Sequence, residues 1–203
     1  MKNTLSKILC ILLPYSLYAL EIRKANLSNI QGISLLYHEA WHNTYKGLKT
    51  VDPDLFTTRT KEKCFKQWLE YYQDKNSFII VALEDEKIVG VLYAGPLKSK
   101  TPDKYAGTIK PRDKDKIFDS EIYKLYLLPS CKHKGIGTQL LKAGLAELKT
   151  MNFEKTLVYC LTENKNGCAF YEKKGGVLIN AALVVEFNET MNIYTFDLAT
   201  SCL

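Results

Sequence analysis

Residues 131–145 read CKHKGIGTQLLKAGL. Before them, EIYKLYLLP at 121–129 has the aromatic and leucine-rich pattern of a strand, stopped by Pro129. After them, Ile136, Leu140, Leu141, Leu145 and Leu148 follow the three-to-four-residue period of a helix, which predicts one apolar face over 135–151. Gly135 and Gly137 therefore stand where a strand hands over to a helix. A helix start presents unpaired backbone N–H groups and a partial positive charge, so it holds an anion without dedicated side chains. Glycine removes the Cβ atom that would keep the anion off the backbone, and Lys132 and Lys134 add charge at the rim. The stretch predicts a phosphate or pyrophosphate site; tight helix–strand packing is the competing use for the glycines. A Walker loop is excluded by spacing, and a dinucleotide fingerprint needs a third glycine that is missing.

Working outward, ordered segments alternate. LEIRKA (20–25) reads as a strand, followed by a helix over about 30–48 with Ile30, Ile33, Leu36, Tyr37, Ala40 and Trp41 on one face. A second helix over 60–73 carries Phe65, Trp68, Leu69 and Tyr72. SFIIVALED and KIVGVLYAG form a hairpin around Asp85, Glu86 and Lys87. KTLVYCL (155–161) is a short buried strand, and NKNGCAFYEKKGG a short helix ended by Gly175 and Gly176. VLINAALVVEF and NIYTFDL close the chain as strands turning through Asn188 and Glu189. This order predicts an α/β (α+β) fold, a mixed central sheet flanked by helices. Residues 97–119 show no periodicity and carry seven basic and four acidic residues.

The 203 residues, 46% hydrophobic and 25% charged, suit one globular domain over 20–203. Net charge +6 suits an anionic partner without choosing one. Residues 1–19 are set apart: Lys2 and Lys7 precede thirteen uncharged residues, Ile8 to Leu20. That run is short for a membrane span, and no other apolar run is longer. It reads as a signal peptide cut after Ala19, although Leu17 fits the small-residue rule poorly; an uncleaved apolar arm is the alternative. Export follows from cleavage, a cytoplasmic location from retention. The six cysteines have no metal-site spacing and read as ordinary thiols. His38 and His42 share a helix face but lack the glutamate of a zincin, so no metal is expected.

LYLLPSCKHKGIGTQLL followed by NKNGCAFYEKKGG resembles the Gcn5-related N-acetyltransferase (GNAT) family. The resemblance covers about residues 20–198, and Lys132 stands where the family usually has Arg or Gln. It implies acetyl-coenzyme A as co-substrate and a small-molecule or peptide amine as acceptor, and leaves a homodimer open. It implies that Leu125, Tyr126 and Leu127 offer strand-edge backbone to the pantetheine arm. Lys132, His133, Lys134, Gly135, Ile136, Gly137 and Thr138 would hold the pyrophosphate, and Asn164 would bond the pantetheine while also capping a helix. Tyr171 occupies the position of the family's proton donor to the coenzyme thiolate.

The base is less marked. Two-residue alternation places Glu121 on one face with Leu125 and Leu127, where it could take the amine proton directly or through water; a surface glutamate is the alternative. The family's second base position is Tyr159 here, and Glu163 is expected off the catalytic face. The oxyanion would meet a backbone N–H near Leu127. The acceptor pocket is expected between the first two helices, the 97–119 segment and the 187–191 turn, with Trp41, Tyr45 and Tyr93 as candidate walls and core packing as the alternative for each. The alternative function is a non-enzymatic acyl-coenzyme A-binding or partner-binding domain. Nucleic acid is not expected, because acids interleave the bases of 97–119.

Overall fold

A computed structural model describes residues 20–48, 51, 53–98, 105–106, 118–184 and 189–200. The strands are β1 Glu21–Lys24, β2 Phe78–Glu84, β3 Lys87–Pro96, β4 Tyr105–Ala106, β5 Ser120–Leu127, β6 Lys155–Leu161, β7 Val177–Val184 and β8 Glu189–Asp197. The helices are α1 Ile30–Tyr45, α2 Asp54–Thr58, α3 Lys61–Gln73, α4 Ile136–Thr150 and α5 Lys165–Lys173. One sheet runs β1-β2-β3-β5-β6-β8-β7-β4, antiparallel at every step except β5–β6, which is parallel. The expected mixed sheet with flanking helices is what the chain builds.

The β2–β3 hairpin turns at Asp85 and Glu86, both at positive φ (49° and 64°), so it is a two-residue turn of the primed kind that matches strand twist. Behind the hairpin lies α4. Leu140, Leu141 and Leu148 are fully buried, and a Cβ at Gly144 would stand 2.7 Å from Leu92 Cδ1, so only glycine lets the helix lie this close to β3. On the opposite face α1 and α3 pack around fully buried Trp68, whose ring meets Tyr37 edge-on at 5.5 Å.

Three local readings change. The first helix ends at Tyr45 rather than 48, and α2 intervenes before α3, too short to register as periodicity. Part of the 97–119 segment pairs as β4 with Val184 and Leu183; residues 99–104 and 107–117 lie outside the described residues, as do the signal-peptide reading of 1–19 and Asn188 of the expected last turn. Third, the β3–β5 register slips between Tyr93/Lys124 and Ala94/Ile122, leaving Tyr123 as the extra residue of a β-bulge. The bulge breaks the alternation and reverses its sense. Glu121 therefore shares a face with Lys124 and Tyr126, toward α1 and α3, and not with Leu125 and Leu127, which face α4.

Candidate active site

β5 and β6 are paired only from Ser120–Ile122 to Thr156–Val158. Beyond that they part, while β5 remains bonded to β3 through Leu125↔Leu92, Tyr126↔Val91 and Leu127↔Gly90. The β6-facing backbone edge of 125–127 is thus left open, and a cavity of about 550 Å³ occupies the wedge. Leu125, Tyr126, Leu127, Lys132, His133, Gly135, Gly137, Thr138, Asn164 and Tyr171 all line it. Lys134 and Ile136 do not: Lys134 points to solvent and Ile136 turns into the core. For Ile136 only the backbone remains available to a ligand.

The two glycines have different tasks. Gly135 has φ +83°, a conformation that strains any L side chain, and a Cβ there would meet nothing within 4 Å. It serves backbone shape and an open cradle. Gly137 is the packing glycine: a Cβ would lie 3.2 Å from Leu127 Cδ1 and 3.5 Å from Phe170. His133 is also left-handed (φ 63°), with Lys134 between it and Gly135. Such alternation turns successive N–H groups into an anion-binding concavity. No side chain caps α4, and while Thr138 and Gln139 donate to the Gly135 carbonyl, the N–H groups of Ile136 and Gly137 stay available. The cradle fits a diphosphate.

Asn164 is the N-cap of α5, its side chain accepting from Gly167 N at 3.1 Å, and it lines the cavity as well. Asn164→Ala is expected to cost about 1 kcal/mol in urea unfolding, the worth of a cap, while Asn164→Asp keeps the acceptor and most of that stability.

Tyr171, buried on α5, faces the wedge with Tyr45 and Cys160 nearby, and burial raises its phenol well above the ordinary value. The Cys160 thiol, also in the cavity wall and 3.7 Å from Cys168 Sγ, is pushed up by the same desolvation. The Tyr45 hydroxyl meets that of Tyr126 at 3.2 Å.

Glu121 is not a surface residue: it is 7% exposed, and Oε2 has no hydrogen-bond partner among the described residues. It does not line the wedge cavity itself but lies on the neighbouring face. Burial pushes its carboxyl up to about 7, against the pull of Lys98 and Lys124. Lys124, which does line the cavity, is pushed down to about 8 by burial and by Arg59. A carboxyl raised from 4.5 to about 7 favours the protonated fold. The contribution of this group to stability therefore falls as pH rises from about 4.5 to about 7, by roughly 3 kcal/mol in total. Glu121→Gln is expected to abolish that fall, seen as a higher urea midpoint than wild type at pH 8 and little difference at pH 4.

Of the expected aromatic walls, Tyr45 lines the wedge, while Trp41 and Tyr93 are core residues at 2% and 1% exposure. The His38 and His42 rings lie 4.4 Å apart and tilted by 36°, and no group of three His, Cys, Asp or Glu able to hold a metal occurs among the described residues. Lys124 and Arg59 were missed by sequence reading, since their neighbours come from distant segments. Arg59 lies 4.3 Å over the Trp41 ring and donates to the Tyr37 hydroxyl at 2.7 Å.

The family model described as "Acetyltransferase (GNAT) family" matches residues 37–176. The spermidine N(1)-acetyltransferase of Thermoplasma acidophilum is 22% identical over 160 residues, covering 77% of this chain and 88% of that protein. The crystal structure of PaiA N-acetyltransferase from Thermoplasma acidophilum, in complex with coenzyme A, superposes with TM-score 0.63 at 19% identity over 88% of this chain and 99% of its own. YncA from Salmonella typhimurium, whose structure holds acetyl-coenzyme A, gives TM-score 0.62 at 14% identity, covering 91% and 97%. The open β5 edge, the left-handed cradle at Gly135 and the matched family model agree: the chain belongs to the GNAT family of acetyltransferases, which places it at family level among acetyl-coenzyme A-dependent N-acetyltransferases.

Proposed function

We propose that the chain transfers the acetyl group of acetyl-coenzyme A directly to a primary amine, with both substrates bound together. The observation that carries this is the position of Tyr171 and the phosphate cradle on one continuous cavity, with buried Glu121 on the adjoining face of β5. In this reading the N–H groups at the start of α4 and the backbone of 132–138 take the pyrophosphate. The open edge of 125–127 takes the pantetheine, with Asn164 beyond it.

The neutral amine attacks the acetyl carbonyl carbon, and a new C–N bond forms as the carbonyl π pair moves to oxygen. A backbone N–H of the β5 edge near Leu127 meets that oxyanion. The amine proton passes to Glu121, directly or through water. Collapse breaks the C–S bond, and the departing thiolate takes the Tyr171 proton, which the phenolate regains from solvent. A free thiol is more acidic than a phenol, so this transfer would run uphill in water. Burial raises the phenol and a thiol beside it alike, so the transfer depends on the Tyr171 hydroxyl being held within hydrogen-bond reach of the departing sulfur, where it proceeds as the C–S bond breaks.

A base must be unprotonated to act, so the rate is expected to rise with pH through about 7, the value of Glu121. The test is kcat/KM against pH for wild type and Glu121→Gln. Loss of the rising limb in the variant supports the assignment. An unchanged limb removes Glu121 from the chemistry.

A further inference from the structure

Beside the wedge, Lys124 shares one aromatic ring with Arg59 and another with Lys98. Arg59 and Lys124 both lie over Tyr37, at 5.6 and 5.2 Å from its centroid. Lys98 and Lys124 both lie over Tyr71, at 5.6 and 5.5 Å. Tyr37 in turn meets Tyr126 edge-on at 5.0 Å, and Tyr126 lines the wedge. The rings stabilise cations, but the cations already present are the protein's own.

No carboxylate pairs with Arg59 or Lys124 among the described residues, and Arg59 Nε is buried with no hydrogen-bond partner there. A second cavity, of about 260 Å³, opens beside Arg59 between α2 and α3, where Lys63, Thr58 and Gln67 add further donors and no acid lines the wall. Buried donors without partners are costly unless a ligand completes them. Glu121 is the one carboxyl acting on Lys124.

We propose that the acceptor is a primary amine that also carries an acidic group, carboxylate or phosphate, with its amine toward Glu121 and its acid held by Lys124 and Arg59. This rests on the acetyltransferase reading above. A polyamine tail would meet the like charges of Arg59 and Lys124, so an acceptor unlike that of the spermidine enzyme is expected. The cluster serves as a selector: the acid completes the Arg59 donors, and a neutral amine leaves them unpaired.

The test uses the full chain with coenzyme A bound, so that no turnover occurs. β-Alanine, aminopropylphosphonate, propanolamine and spermidine are titrated while tryptophan fluorescence is followed, because Arg59 lies against Trp41. The same amines are then compared as acceptors with acetyl-coenzyme A. A saturable response to the carboxylate or the phosphonate, with kcat/KM at least about tenfold above propanolamine, is expected. Whichever acid responds better identifies the group. Arg59→Gln and Lys124→Gln should each bring the acid-to-alcohol ratio toward one. Spermidine or propanolamine acting as well as the acids overturns the proposal. So does an unchanged ratio in both variants, or no response to either acid from a chain that binds coenzyme A. Failure to bind coenzyme A is seen before any amine is added; it removes the transferase reading and this proposal with it.

Discussion

Gly135→Glu is expected to weaken acetyl-coenzyme A binding by two to three decades in Kd while leaving the chain folded. The space beside Gly135 is open, so the larger side chain meets no atom of the core. Its backbone at φ +83° costs an L residue about 1–2 kcal/mol, which a fold of this size tolerates. The carboxylate then occupies the mouth of the cradle. Two unit charges of like sign about 5 Å apart, across an effective dielectric of about 20, repel by roughly 3 kcal/mol. Gly135→Ala separates the two effects, since it keeps the strain and lacks the charge; its Kd should stay within about tenfold of wild type. Calorimetric titration with acetyl-coenzyme A, alongside urea unfolding of each variant, reads both quantities. Equal binding by Gly135→Glu and wild type would move the pyrophosphate elsewhere.

Tyr171→Phe is expected to lower kcat by about 10²–10⁴, the usual worth of a positioned acid, with little change in coenzyme affinity. The phenyl ring preserves the packing against Phe170, Tyr194 and Phe196, so the fold should persist. Because the hydroxyl acts on the leaving sulfur, the loss should fall on kcat and kcat/KM alike. A thioester analogue with a more acidic leaving thiol should recover much of the rate, which a packing role would not do. A variant within a few-fold of wild type would leave the thiolate to depart without Tyr171.

What the sequence disclosed was local. The strand, the glycine pair at the start of α4 and the apolar face of α4 are set by residues close in sequence, so their meaning survives without tertiary context. The same holds for the α5 cap at Asn164 and its glycine stop, where Gly175 has φ +81°. What stayed hidden was long-range. The Tyr123 bulge depends on register with β3, and by reversing alternation it moved Glu121 to the face of Lys124. Arg59 and Lys124 are far apart in sequence, and only the packing of α1 and α3 against β5 brings them to one tyrosine. Composition at either position reads as an ordinary surface cation. The wedge itself is a divergence of two strands, which no pattern within either strand encodes.

Everything above turns on coenzyme A lying in the opening between β5 and β6. A crystal structure of the chain with coenzyme A tests it most directly. The pyrophosphate is expected within hydrogen-bond distance of the backbone N–H groups at 135–137, the pantetheine paired to the edge of 125–127, and the thiol beside the Tyr171 hydroxyl. Coenzyme A bound outside the wedge, or a thiol remote from Tyr171, would contradict it.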